Sequence, residues 1–376
     1  MKQGWQIKDF ELCLDKTKTT TKLQSSLYGE QGAFPIVSQE KELISGYWDK
    51  EEDVFKHKTP IVVFGDHTKV VKYIDFDFVI GADGVKILSP KPFLNPKYFY
   101  YWVCSVQIPS HGYARHYRYL KEHQVPVPNL SEQQRIVALL DAEFAKIDAL
   151  KANAEKNLQN AKDLFQAALK KDLEPKEGWK RTTLQEICTH IVDCPHTTPI
   201  KSPSKTEYPC IRTSELKNGE ISWETMQYVD KSEYLKRVSR LVPQENDIVY
   251  GREGTFGDAI LIPNYYHFCL GQRTMLFRPN QELVIPRFLL LYVISPYVYD
   301  QAKAKNTGCG VGHVNVRDIK EFSINLPQIN VQQSIVARLD ALNEKCKTLQ
   351  ANYEKTLSLC DDLKQALLRK AFNGEI

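Results

Sequence analysis

The feature that most narrows what this chain can fold into is a block near its middle that returns at its end. Residues 131–171, SEQQRIVALLDAEFAKIDALKANAEKNLQNAKDLFQAALKK, align without a gap against residues 330–370, NVQQSIVARLDALNEKCKTLQANYEKTLSLCDDLKQALLRK. Apolar residues recur three or four apart in both copies, which is the stripe of a long amphipathic helix. Some 40 residues at about 1.5 Å each make a rod of about 60 Å. A stripe that narrow cannot be left in water, and the natural partner of each helix is the other. The predicted seam is therefore Ile136, Leu140, Ile147, Leu150 and Leu158 from the first copy with Ile335, Leu339, Leu349, Tyr353 and Leu357 from the second. Ser131 with Gln134 reads as a capping box, and Asn330 with Gln333 is its looser counterpart. Prolines 126, 128 and 327 keep helix from extending upstream, and Pro175 with Gly178 ends the first copy.

The repeat continues outside the helices. Gly4-Trp5 answers Gly178-Trp179, Phe34 to Val37 answers Tyr208 to Ile211, Val62 to Gly65 answers Ile248 to Gly251, and Pro96 to Val103 answers Pro286 to Val293. The offset changes only between these blocks, so the second half carries about 25 extra residues in connecting segments, where insertions are tolerated. The period is far too long for a solenoid and means duplicated domains. Ahead of each long helix, short β-rich runs such as 60–64, 76–80, 247–250, 259–262 and 273–278 alternate with Gly, Asp and Asn turns. Each region also has one short helix after a proline, at 97–104 and 287–294, so an α+β domain fits each half. The expected organisation is a domain over 1–130, a long helix over 131–173, a second domain over 174–328 and a second long helix over 329–376.

Composition removes several classes. The nine cysteines are scattered and never spaced CxxC, which argues against a disulfide framework or a zinc ribbon. No run approaches the eighteen or so apolar residues of a membrane span, and MKQGWQIKDF lacks the apolar core of a signal peptide, so a cytoplasmic chain without membrane contact is expected. A formal charge of +4 does not by itself identify a nucleic-acid binder.

Two motifs invite an enzymatic reading. Asn95-Pro96-Lys97-Tyr98 looks like the loop with which adenine methyltransferases hold their target amino group, and the glycines of 251–257 look like a cofactor loop. The repeat partner of Asn95-Pro96 is Ile285-Pro286, which simply starts a helix, and the two motifs fall in different halves. The glycines read better as a turn between strands, with Arg252 and Thr255 placed to face phosphate. His190, Asp193, Cys194 and His196 are the densest group of metal-ligand types, but no matching second pair accompanies them, and a DNA-facing loop is expected instead of a metal site. The stretch from Gly112 to Tyr119 interleaves cations with aromatics just before the first long helix, and Asn306 to Arg317 is its glycine-rich counterpart. Such side chains pair with phosphates and guanine edges. The DNA-contact candidates are Lys69, Arg115, His116 and Arg118 in the first domain. In the second they are His196, Lys201, Arg212, Arg252, Thr255, Arg273, His313 and Arg317.

The order domain, long helix, domain, long helix resembles the specificity subunits of Type I restriction-modification complexes. QQRIVALLD and QQSIVARLD open the helices and KQALLRKAFNGEI closes the chain; DCPHTTP, YPCIRTSELKNG, DIVYGREGTFGDAILIP and VPVPNLSEQQ are further matches. The resemblance covers nearly the whole chain and is weaker in the first domain. It implies two target-recognition domains separated by two long helices packed antiparallel as a coiled coil, each domain reading one half of a split target in double-stranded DNA. It implies docking of two methyltransferase subunits, with restriction and translocase subunits joining through them. It also implies no catalytic site in this chain, S-adenosylmethionine, ATP and magnesium belonging to the partners. The rivals are a coiled-coil scaffold whose two heads bind proteins, and an adenine methyltransferase.

Overall fold

The computed structural model describes residues 4–109, 114–217, 219–254, 257–264, 267–306 and 312–376. Two compact units result, one made of Met1–Glu155 with Glu354–Ile376 and the other of Lys156–Tyr353.

In the first unit the β-branched and aromatic runs form two four-stranded sheets. One has the order Leu14–Asp15, Val85–Pro90, Ile61–Gly65, Val71–Ile74; the other has Gly46–Trp48, Phe34–Val37, Phe78–Ile80, Val54–Phe55, with its middle pair parallel. Ile61–Gly65 is buried at every position. Its side chains alternate between two cores, Val62 and Phe64 entering one and Ile61 and Val63 the other, as the two-residue period of a strand requires. Gln6–Asp9 pairs with Gln124–Val127, the strand that leads into the first long helix, Leu130–Asp172.

The second unit repeats this plan. Its four-stranded sheet has the order Cys188–Asp193, Thr274–Pro279, Ile248–Gly251, Ala259–Leu261, and its smaller sheet again has a parallel pair, Pro209–Ile211 beside Cys269–Leu270. Lys180–Thr183 pairs with Ser323–Leu326 ahead of the second long helix, Ile329–Asn373. Ile248 and Tyr250 enter one core and Val249 the other. The extra residues of this half include the small hairpin Leu216–Lys217/Glu220–Ile221 and the helix Lys231–Arg237, capped by the Asp230 carboxylate on the Glu233 N–H at 2.8 Å.

Each domain is fastened to its own long helix through the short helix after the sheet. Pro96–Ser105 lays Lys97 against Asp141 at 2.8 Å; Pro286–Val293 lays Arg287 against Asp340 at 2.6 Å. The Asn95 side chain accepts from the N–H groups of Lys97 and Tyr98 at 2.9 and 3.1 Å, so the Asn-Pro-Lys-Tyr motif is a capped helix start.

Within each unit the two helix segments run antiparallel. In the first, Asp148 pairs with Lys364 and Lys151 with Asp361, and Ile136 and Leu140 share a core with Leu368, Ala371 and Phe372. In the second, Asp172 at the end of one helix meets Arg338 near the start of the other at 2.7 Å, around Phe165, Leu169, Leu173, Ile335, Leu339 and Cys346.

Three expectations about the helices need correction. Both helices begin one residue before the serine and asparagine read as caps, and at the first the Asn129 side chain accepts from the Glu132 N–H at 2.9 Å in place of a Ser131–Gln134 box. The first helix stops at Asp172, ahead of Pro175. The seam holds Ile136, Leu140, Ile147, Ile335 and Leu339 buried and Leu158, Tyr353 and Leu357 half-buried, but Leu150 and Leu349 are 51% and 40% exposed. Positions 150 and 151 straddle the stripe between Ile147 and Ala154; Lys151 turns to Asp361 on one flank and leaves Leu150 on the other. Among the described residues no helix is long and apolar enough to cross a membrane.

Candidate nucleic-acid interface

In both domains the end of the fully buried strand meets the loop that precedes the long helix. His116 donates its backbone N–H to the Asp66 carbonyl at 2.7 Å, and Val314 does the same to the Arg252 carbonyl at 3.1 Å. The turn after Gly251 is held further by the Gly254 N–H on the Gly312 carbonyl at 2.9 Å, with Gly254 and Gly257 both at positive φ. Segments far apart in sequence, picked out for their cations, thus lie together at one end of each sheet. Surface loops held by a rigid scaffold are where recognition residues concentrate.

The second domain has the more developed site. Asp193, His196, Arg252, Lys305, His313 and Arg317 line an open cavity of about 890 Å³. Its floor is a network of charges. Arg252 is 4% exposed and reaches Asp193 at 3.0 Å and Glu253 at 3.3 Å. The same carboxylates take His196 at 3.1 Å and His313 at 3.1 Å, and Glu253 also takes Arg273 at 3.2 Å. Two acids therefore orient two histidines and an arginine toward the opening, while Arg317 and Lys305 are exposed at its rim. Cations held this way suit phosphate and base-edge contacts.

The structure redistributes the predicted residues. Arg252 is a buried organiser and not a surface contact, because both faces of its guanidinium region are occupied by acids and His313. Arg212 is likewise structural: it donates to the fully buried Glu215 at 2.6 Å and to the Thr225 carbonyl at 3.0 Å. His116 is 1% exposed with Nδ1 on the Asp66 carbonyl at 3.1 Å, so it is a core group standing where Val314 stands in the other half. Arg115 and Arg118 are exposed beside it, Arg118 lying over the Tyr119 ring at 4.6 Å. Lys69 is half-buried at positive φ, with Nζ 3.5 Å from the Ile108 carbonyl. Lys201 is exposed, and Thr255 lies outside the described residues. In the His190–His196 loop, burial pushes the Cys194 thiol up, which disfavours a metal-binding thiolate. Among the described residues no group of three or more metal-ligand side chains converges. Sequence reasoning missed Lys305 and the orienting role of Glu253. Lys305 directly precedes the glycine-rich loop and could have been chosen on that ground; Glu253 carries no sequence signal for its partners.

Fold and loops together define a duplicated two-headed protein, each head an α+β domain borne on its own long helix and each presenting a cation-bearing loop cluster. The sequence profile of the Type I restriction modification DNA specificity domain matches residues 4–160 and 176–358, and the chain belongs to that family. It is 24% identical over 283 residues to the Type I restriction enzyme EcoBI specificity subunit of Escherichia coli, an alignment covering 69% of this chain and 60% of that one. It is also 24% identical over 370 residues to the EcoR124I/EcoR124II specificity subunit of Escherichia coli, covering 88% and 85%. The match thus spans about three fifths of the EcoBI relative. The fold is similar to the HsdS subunit from Thermoanaerobacter tengcongensis, with a TM-score of 0.54 at 17% identity over 100% of this chain and 98% of that one. A chain from a solved structure on complex assembly and conformational transition of the type I R-M system gives 0.73 at 16% identity, covering 100% and 99%.

Proposed function

We propose that this chain is the DNA-reading, non-catalytic subunit of a Type I restriction-modification complex in the cytoplasm, each domain reading one half of a two-part target in duplex DNA. The observation that carries the reading is the duplication itself, complete from sheet order to the ion pair that fastens each domain to its helix. Two similar readers on one chain suit two short target sequences separated by a gap. Exposed cations at the loop clusters supply phosphate contacts that position, while base choice rests on loop geometry.

The long helices are the proposed docking surface for two methyltransferase subunits, through which restriction subunits join. Supporting this, exposed apolar residues recur at matched places in the two copies: Leu130 and Ile329, Leu150 and Leu349, Leu164 and Leu363, all between 37% and 51% exposed. Apolar residues kept exposed twice over suit two copies of one partner. S-adenosylmethionine, ATP and magnesium are assigned to those partners. The test is duplex-DNA affinity of the assembled complex against salt. A log–log slope of several units is expected; a slope near zero would favour a protein-binding scaffold, and calorimetric binding of S-adenosylmethionine to the isolated chain would favour a methyltransferase.

A further inference from the structure

Gln133 is fully buried at the start of the first long helix, and every polar contact of its side chain is to backbone of the domain and its linker. Its Oε1 accepts from the Asn95 N–H at 2.7 Å, and its Nε2 donates to the Phe93 carbonyl at 3.0 Å and the Pro128 carbonyl at 2.8 Å. Gln332, also fully buried, repeats this in the second half: Oε1 accepts from the Ile285 N–H at 2.8 Å, and Nε2 donates to the Leu283 carbonyl at 3.1 Å and the Pro327 carbonyl at 2.9 Å. The side chains around the two amides differ, Phe93 and Asn95 against Leu283 and Ile285, yet the backbone groups engaged are the same. A domain's variable side chains are therefore not needed to make the joint.

An apolar residue would fill either position without the cost of burying an amide. What the amide adds is direction: three hydrogen bonds of fixed geometry resist the sliding that an apolar contact permits. Eight residues further along each helix, about 12 Å at 1.5 Å per residue, the Lys97–Asp141 and Arg287–Asp340 pairs make a second attachment. One attachment leaves a domain free to swivel on its helix, and two fix its angle.

We infer that Gln133 and Gln332 are positioning residues for target reading. By fixing the angle between each domain and its helix, they set how strictly the complex enforces the gap between the two half-targets. They contact no DNA and leave the bases read in each half unchanged. The inference rests on the proposed function and goes beyond it, because a reader with loose joints would still be a two-part reader.

The experiment maps methylated adenines in cells carrying the full chain with its methyltransferase partner, comparing the wild type with Gln133→Met, Gln332→Met and Lys97→Met. For the glutamine variants the expected result is unchanged half-sequences with methylation at gaps one base pair shorter or longer raised by about tenfold, the scale on which a single misfit base pair discriminates. Lys97→Met, which leaves the buried amide untouched, should give a smaller rise and keeps the test available if a glutamine variant does not assemble. A two-part pattern with an equally strict gap in every assembled variant would overturn the inference alone. Altered half-sequences would overturn it too, by giving the glutamines a role in base choice. A wild-type chain that directs no two-part pattern would overturn the proposed function and this inference with it.

Discussion

Arg252 and Arg317 line the same cavity, and the structure assigns them opposite jobs. Arg252 is 4% exposed and neutralises Asp193 and Glu253, whose side chains are 13% and 23% exposed. Removing one partner from a buried ion pair costs about 3–5 kcal/mol because the remaining charge is stranded. At about 2–4 °C per kcal/mol for a unit of some 200 residues, Arg252→Ala should lower the melting temperature of the second unit by about 6–20 °C. His196 and His313 lose their shared framework, so DNA affinity at temperatures where the variant is folded should fall as well. Arg317→Ala removes an exposed cation and should move stability by no more than about 0.5 kcal/mol. Its effect should be confined to DNA affinity, with the salt slope reduced by about one unit. Thermal unfolding and salt-titrated DNA binding on both variants decide the matter. If Arg252→Ala melted like the wild type while losing DNA affinity, Arg252 would be a direct contact and the network reading would be wrong. Unchanged affinity in Arg317→Ala would remove the cavity rim from the interface.

Leu339→Ala, at a fully buried seam position, should cost about 2–5 kcal/mol in denaturant unfolding, whereas the 40% exposed Leu349→Ala should cost under about 1 kcal/mol; equal losses would show that Leu349 belongs to the seam after all. Asn95→Ala should cost about 0.5–2 kcal/mol as the loss of a helix cap while methylation by the assembled complex keeps its rate, and abolished methylation at wild-type stability would revive the catalytic reading of Asn-Pro-Lys-Tyr. Burial pushes the Cys13 thiol up to about 11 from an ordinary 9.0, so the unfolded chain gives up this proton first as pH rises. The stability it contributes is complete below pH 9 and is lost as pH climbs toward 11, and Cys13→Ala should flatten that alkaline decline by roughly 1–3 kcal/mol. An identical decline in the variant would place the loss in other groups.

The long helices were legible because a stripe repeated over some forty residues, twice, leaves few alternatives. The strands were legible to within a residue or two for the same reason: Ile61–Gly65 and Ile248–Gly251 are apolar on both faces and bounded by turns. Which residue on a helix faces its neighbour was less so. Leu150 fits the seam by spacing, and only the pairing of Lys151 with Asp361 shows to which side the helix is rotated. The site was hardest to read, since a cation in a loop looks the same in sequence whether it meets solvent or a buried acid. Arg212 and Arg252 look like Arg115 and Arg317 until Glu215, Asp193 and Glu253 are brought beside them by folding. His116 reads as part of a basic aromatic loop, and its burial follows from a backbone hydrogen bond to a strand end fifty residues away.

The central claim is that two separate readers act on two separate pieces of DNA, and exchange of one reader tests it most directly. Residues 1–128 would be replaced by the matching region of a relative, a junction that keeps Gln133 and its helix intact, and methylated adenines would be mapped in cells carrying the chimera with the same methyltransferase partner. The account predicts a changed sequence in one half of the target, with the other half as in the wild type. A chimera that changed both halves, or one that assembled and changed neither, would contradict it.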